Sequence, residues 1–400
     1  MQLVRPFSAL RPIAGHAQEV AAPPYDVISL EEARALGYKQ PWSFVHVSRA
    51  EIDLPEGTHP YAPEVYAKAK ENLHGMSDLL MRDRVPCYYV YRMTLGNHVQ
   101  TGLAAAVSIA AYESGQVLRH ELTRPDKEDD RVRQIDALGA QTGPVLLAYR
   151  QHSEIQSLLS EVSQGTPDME ATLEDGVCHQ VWVLSDPKLL NRLTGLFESV
   201  GKLYIADGHH RFAAAARVSK LRPNTTPTAL AVLFPDSEMC ILDYNRVVKD
   251  LNGQSSVDFL ARVSSTFEVE AVSFPVRPEV RGTYGMYLSE WYRLTVRPKT
   301  VLLDPVSRLD VSILQTQLLA PILGIEDPRR DKRIDFVGGT RGLSELENKV
   351  QSGEMAVAFS LYPTSLEELM AVADAGEIMP PKSTWFSPKL ADGLLSQVLD

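Results

Sequence analysis

The sequence predicts a fold of the α+β class, and three observations predict it. Apolar runs of strand character alternate with segments of helical periodicity along most of the 400 residues. Gly96-Asn97 stands between two strand-like runs, "CYYVYRMTL" and "HVQTGLAAAVSIAAY", as a hairpin turn does. The stretch "KLYIADGHHRFAAAARVSKL" passes from an apolar strand through one polar turn into an alanine-rich helix.

Taken in chain order, "VAAPPYDVISLEEARAL" (20–36) reads as a proline-stiffened loop followed by a helix, with Ser29 as N-cap and Glu31 and Glu32 in the first turn. "FVHVSRAEIDLP" reads as a strand carrying His46, Arg49 and Glu51, of which Arg49 suits a carboxylate or phosphate. Residues 63–82 read as an amphipathic helix, and the hairpin follows. A charged helix at 127–141, a buried strand at 144–150, a helix at 151–163, a strand at 179–185 and a helix at 187–200 lead to the strand, turn and helix of 202–221. "TALAVLFP" and "MCILDYNRVV" read as paired strands. Past Asn252-Gly253 the pattern restarts with helix and strand, then a strand at 334–339, a helix near 342–350, a strand in "EMAVAFSLYP" and a helix capped by Ser365. The expected division is therefore 1–104, 105–252 and 253–400.

Composition narrows the function classes. The formal net charge is -11 and no basic block occurs, so neither nucleic acid nor an anionic membrane is an expected partner. Cys87, Cys178 and Cys240 are odd in number and far apart, with no Cys-x-x-Cys spacing, which argues against a disulfide framework and a zinc knuckle. Buried thiols in a reducing cytosol are expected. No run approaches the roughly 18 apolar residues that a membrane helix needs, and the first residues lack an apolar leader, so a cytoplasmic location is expected.

The chemistry concentrates in the turn at 207–211. Gly208 lets the backbone approach a ligand, the first N–H groups of the following helix suit a phosphate, and Arg211 offers a planar cation. Asp207, at the strand's carboxyl end, is placed to hold magnesium or orient a hydroxyl. The same residues also suit a simple N-cap and turn with surface histidines. A second cluster, "RHELTRPDKEDDR" (119–131), packs His120, Glu121, Thr123 and Arg124 onto a loop, because Arg124-Pro125 forces extended backbone ahead of the next helix. It also suits a solvated helix start. The diproline loop at 23–24 presents Tyr25 and Asp26, and "PPKSTWFSPK" sets Lys382, Ser383 and Thr384 after a rigid diproline, where a lysine and two hydroxyls can reach a phosphate. "DFVGGTRG" lacks both Gly-x-Gly-x-x-Gly and the P-loop lysine.

Taken together, "HELTRPDKEDDRVRQIDALGA", "GPVLLAY" and "LYIADGHHRFAAAARV" resemble the ParB/sulfiredoxin superfamily, and the Asp-Gly-His-His-Arg turn resembles its free serine kinase branch. Across its length, through "RPFSALRP", "VAAPPYDV", "YNRVVKDLNG", "DFVGGTRGL" and "MPPKSTWFSPKL", the chain is similar to a prokaryotic family known as domain of unknown function 1015. The resemblance implies a ParB/sulfiredoxin-like nucleotide-binding core with additional N-terminal and C-terminal α/β segments. It implies that Gly208, His209, His210 and Arg211 bind nucleotide phosphates, that Asp207 is essential for phosphoryl transfer, and that Glu121 activates a serine hydroxyl. His209 stands where sulfiredoxins carry cysteine, so that chemistry is not expected.

The expected activity is phosphotransfer between ADP or ATP and a small hydroxylated metabolite such as serine or phosphoserine, with Mg2+. His120, Thr123, Arg124, Tyr25, Asp26, Lys382 and Ser383 are the candidate substrate contacts. A non-catalytic nucleotide sensor and a metal-dependent hydrolase using His120, His209 and His210 stand as alternatives. Oligomerisation is compatible with the sequence.

Overall fold

A computed structural model describes residues 2–297 and 304–399. The chain forms two compact units, one of Met1–Met239 with Pro388–Asp400, the other of Cys240–Ser387. This differs from a three-part division, because the hairpin of 88–108 and the strands of 145–149, 203–207 and 228–235 share one sheet. No boundary at 104 separates them. Helices pack with a mixed sheet in the first unit and an antiparallel sheet in the second, which places the fold in the α+β class.

In the first unit, nine strands among the described residues make one mixed sheet. From one edge the order is Val117–Leu118, Leu203–Asp207, Val145–Tyr149, Thr228–Pro235, His98–Ser108, Tyr88–Leu95, Cys178–Leu184 and Met169–Thr172, with Val4–Arg5 also against His98–Ser108. The central strands are apolar along their whole length because both faces are covered. One face buries Leu103, Leu147, Ile205 and Leu233 with Ile155, Leu193 and Phe197. The helices Pro125–Leu138 and His209–Leu221 pack together through Val132, Ile135, Ala214 and Val218, and the alanines of 213–216 allow that close approach. The last residues of the chain return to this unit, where Ser396–Val398 pairs with Ala9–Pro12 and with Ala140–Gln141.

In the second unit, six antiparallel strands run in the order Phe267–Val272, Trp291–Val296, Thr283–Tyr287, Val357–Leu361, Tyr244–Val248 and Ile334–Gly338. Helix Gly342–Gln351 lays Leu343, Leu346 and Val350 on this sheet. Helix Leu366–Asp374 starts from Ser365, whose hydroxyl and Glu368 form a capping box.

Three expected elements differ. The helix of 63–82 stops at Gly75 with Met76 as its C-cap, and Leu80–Arg82 becomes a strand against Ala9–Pro12; Gly75, Ser77 and Asp78 are poor residues for carrying the helix on. Residues 45–53 are two short helical turns rather than a strand. Burial of Phe44, Val45 and Val47 in one small cluster overrides their β propensity there. Thr228–Pro235 pairs with His98–Ser108 and Val145–Tyr149, whereas Tyr244–Val248 pairs with Ile334–Gly338 and Val357–Leu361, so the two are not partners. No helix among the described residues is long and apolar enough to cross a membrane.

Candidate active site

The sheet register assembles the site. Strand Leu203–Asp207 lies parallel to Val117–Leu118, with Leu203 opposite Val117 and Tyr204 opposite Leu118. The same parallel direction carries the chain on to Glu121 at the end where the other strand reaches Asp207. Arg124 is extended (φ -93°, ψ 130°) and Pro125 opens the next helix, so residues 119–124 stay on a loop at the strand ends. On the neighbouring strand the backbone turns at Gly208, which is left-handed (φ 93°, ψ 30°), and helix His209–Leu221 begins with no side-chain cap on its first N–H groups. An uncapped helix start presents partial positive charge to whatever lies in front of it.

Glu121, His120 and His209 meet there. Each turns one donor atom inward, and the three atoms lie within 4.8 Å of one another. The two imidazoles stack edge to face with centroids 4.5 Å apart, and His209 Nε2 accepts a long hydrogen bond of 3.5 Å from the His120 backbone N–H. Burial pushes His120 down to about 4, and burial together with His120 holds His209 well below the usual imidazole range. Both rings are neutral at pH 7.

Asp207 is tied from two sides. Its carboxylate accepts from Lys389 Nζ at 2.9 Å, lies 3.6 Å from an Arg211 nitrogen and accepts the Gly208 N–H at 2.9 Å. Although burial opposes it, Lys389 and Arg211 hold this carboxyl well below the ordinary range. Both of its oxygens are engaged by protein donors, Oδ1 by Gly208 and Oδ2 by Lys389. That arrangement suits an ionised carboxylate held in one orientation.

Arg211, expected to grip phosphate, is 8% exposed and folds back over its own turn. It donates to the Pro144 carbonyl at 2.5 Å and faces Asp26 at 3.8 Å. Burial alone would lower its pKa, but Asp26 and Asp207 raise it. His210 is half-buried and its Nε2 accepts the Arg124 backbone N–H at 2.9 Å, so it locks the acidic loop onto the helix instead of joining the His120–Glu121–His209 cluster. A set of His120, His209 and His210 is therefore replaced by one containing Glu121.

The other expected residues divide. Tyr25 lies under the Arg131 guanidinium at 3.9 Å and lines, with Arg211, Gln141 and Asp392, a cavity of about 30 Å3 behind the turn. Thr123 Oγ1 donates to Glu128, and the Arg124 side chain is exposed beside Asp126, so both finish the start of helix Pro125–Leu138. Lys382 and Ser383 belong to the second unit, where Ser383 Oγ donates to the Pro380 carbonyl and Lys382 lies 5.6 Å over the Tyr244 ring. The C-terminal lysine that reaches the turn is Lys389. Sequence reasoning missed it, with Arg131 and Asp392. The signal was present as two charges, Lys389 and Asp392, within the otherwise apolar run "LADGLL" and its flank; such charges are kept beside apolar core only when partnered.

Among solved structures, a conserved hypothetical protein from Pyrococcus furiosus is 15% identical, with a TM-score of 0.34 over 71% of this chain and 92% of that one. A free serine kinase variant in complex with AMP is 14% identical, with a TM-score of 0.37 over 71% of this chain and 89% of that one. SbnI with a C-terminal truncation, from Staphylococcus aureus, is 12% identical, with a TM-score of 0.36 over 74% and 87%. No curated protein matches the chain in sequence. The family model described as "Protein of unknown function (DUF1015)" matches residues 4–312, and the chain belongs to that family.

Proposed function

We infer that the first unit carries out nucleotide-dependent phosphotransfer to or from a small hydroxylated metabolite, with free serine or phosphoserine as the leading candidate. The observation that carries this reading is the meeting of the Glu121 carboxylate with His209, the first residue of an uncapped helix that follows a left-handed glycine. Phosphoryl transfer needs little covalent help; it needs donors around the phosphate and a carboxylate at the attacking oxygen.

In the forward direction the donor's terminal phosphates lie against the N–H groups at the start of helix His209–Leu221. The acceptor hydroxyl lies between that phosphate and Glu121, which takes its proton as the new P–O bond forms and the bond to the leaving diphosphate or monophosphate breaks. Asp207, kept ionised by Lys389 and Arg211, orients the reacting groups and balances the local positive charge. Magnesium would be held through the nucleotide's own phosphates and would offset their negative charge there. Arg211 acts here as a positioning residue, since its Nη1 donates to the Pro144 carbonyl and its Nη2 faces the Asp26 and Asp207 carboxylates. The reverse reaction uses the same residues, with Glu121 returning the proton.

Incubation of the full chain with ADP or ATP, magnesium and a panel of serine-like alcohols and their phosphate esters, read by phosphorus NMR, tests the reading. Transfer to one alcohol is expected, with at least about a hundredfold loss in Glu121→Gln. No transfer in either direction with any member of the panel overturns it.

A further inference from the structure

His120, Glu121 and His209 also have a chemistry that phosphotransfer does not use. Their donor atoms lie within 4.8 Å of one another. His120 is 2% exposed and His209 6% exposed. Neither ring nitrogen of His120 makes a well-formed hydrogen bond among the described residues, and the Ile205 backbone is the one group close enough to interact weakly with the buried ring. Buried polar groups are otherwise almost always paired, so a poorly paired imidazole in a cluster of donors marks a place where something binds.

We propose that His120, Glu121 and His209 bind one first-row transition-metal dication of the zinc or cobalt type. Two imidazoles and one carboxylate are borderline ligands that suit such ions, whereas magnesium prefers an all-oxygen octahedron. Metal–donor bonds of about 2.0–2.2 Å place tetrahedral donors roughly 3.3–3.5 Å apart. Side-chain rotation from within 4.8 Å reaches that spacing. His120 and Glu121 sit on the loop after Val117–Leu118 and His209 starts the helix after Leu203–Asp207, two strands paired side by side, so the backbone already fixes the approach of His120 and Glu121 to His209. Three protein ligands leave a position open, as catalytic rather than closed structural sites do.

The inference concerns binding alone and stands whether or not the chain moves phosphate. A carboxylate ligates through one oxygen and can take a proton on the other, so the two roles of Glu121 do not exclude each other.

The test uses the full chain, stripped with a chelator, dialysed and titrated with Co2+ alone, without nucleotide, while the visible d–d absorption is followed. One equivalent of Co2+ with a ligand-field spectrum containing nitrogen donors is expected, displaced by Zn2+ and not by Mg2+. His120→Ala is expected to weaken binding by more than the roughly 10–100-fold that outer-sphere changes cost. Glu121→Gln, on a loop and half-buried, is expected to do the same and serves if His120→Ala fails to fold as judged by circular dichroism. His59→Ala, on an exposed loop, is expected to bind as the native chain does. Absence of stoichiometric binding, or binding that His120→Ala and Glu121→Gln leave unchanged, overturns the proposal. Because nucleotide is absent, failure here is distinct from failure of phosphotransfer in the phosphorus NMR experiment.

Discussion

Lys389 Nζ donates to Asp207 Oδ2 at 2.9 Å across 182 positions of sequence, so the end of the chain completes the turn that the middle of the chain builds. Both side chains are mostly buried, 18% and 28% exposed, and Arg211 lies on the same carboxylate at 3.6 Å. Removing the lysine leaves Asp207 with one cation and a smaller depression of its carboxyl. Lys389→Met is expected to cost about 1–3 kcal/mol. Because Asp207 is depressed, the stability it contributes is present above its unfolded value and is lost as pH falls through the acid range. The Lys389→Met variant should lose that acid dependence in part. Urea unfolding of Lys389→Met, Asp207→Asn and the double variant checks this: a coupling near zero would mean the pair contributes nothing.

Arg211 is a second joint in the same place. It reaches the Pro144 carbonyl, Asp26 and Asp207 with one planar group. Lysine offers a point charge on a flexible stem and cannot serve three directions. Arg211→Lys is expected to destabilise the unit by about 2–4 kcal/mol and to lower phosphotransfer through kcat more than through KM, since the damage is to positioning. Thermal unfolding and steady-state kinetics measure the two effects. An unchanged Tm would refute the positioning role.

Gly208 is required by both conformation and space. Its φ of 93° is a region that side chains rarely adopt, and a Cβ there would stand 2.9 Å from Arg211 Nε. Gly208→Ala is expected to cost about 1–3 kcal/mol and to push the Arg211 guanidinium off the turn. Denaturant unfolding gives the cost, and a stability equal to that of the native chain would show that the turn relaxes freely.

Much of the site was legible before the fold. The strand, turn and helix of 203–221 could be read because an apolar run, a glycine and an alanine-rich stretch each have one cheap local conformation, and the extended Arg124 followed from the proline after it. The side-chain roles were less legible. The convergence of Pro144, Asp26 and Asp207 on Arg211 could not be read from sequence, because those contacts depend on sheet order, and sheet order is set by packing between distant segments. Lys389 was missed for the same reason. Residues 45–53 went wrong in another way: a run with β propensity was bent into helical turns because Arg49 Nη1 donates to the Tyr25 and Ile28 carbonyls and the run buries Phe44, Val45 and Val47 in a local cluster. Lys382 and Ser383 followed a rule about hydroxyls beside lysine, and in the second unit Ser383 Oγ donates to the Pro380 carbonyl while Lys382 lies over the Tyr244 ring.

Asp392 gives the first unit a pH dependence of opposite sign to that of Asp207. It is 2% exposed, lines the cavity behind the turn, and its Oδ1 has no hydrogen-bond partner among the described residues. Burial raises its carboxyl to about 7, with Arg211 opposing and Asp26 adding to the rise. A carboxyl whose folded value stands above its unfolded one binds its proton more tightly in the native state, so its contribution is fully present below the unfolded value and is lost as pH rises through the folded one. For Asp392 that window runs from the ordinary carboxyl range up to about 7. Asn keeps the shape and has no proton to lose. The stability of Asp392→Asn relative to the native chain is therefore expected to improve by about 2 kcal/mol between pH 5 and pH 8, whatever its starting offset. Urea unfolding of both proteins at a series of pH values checks it, and parallel curves across that interval would show that Asp392 is ionised in the fold at all of them.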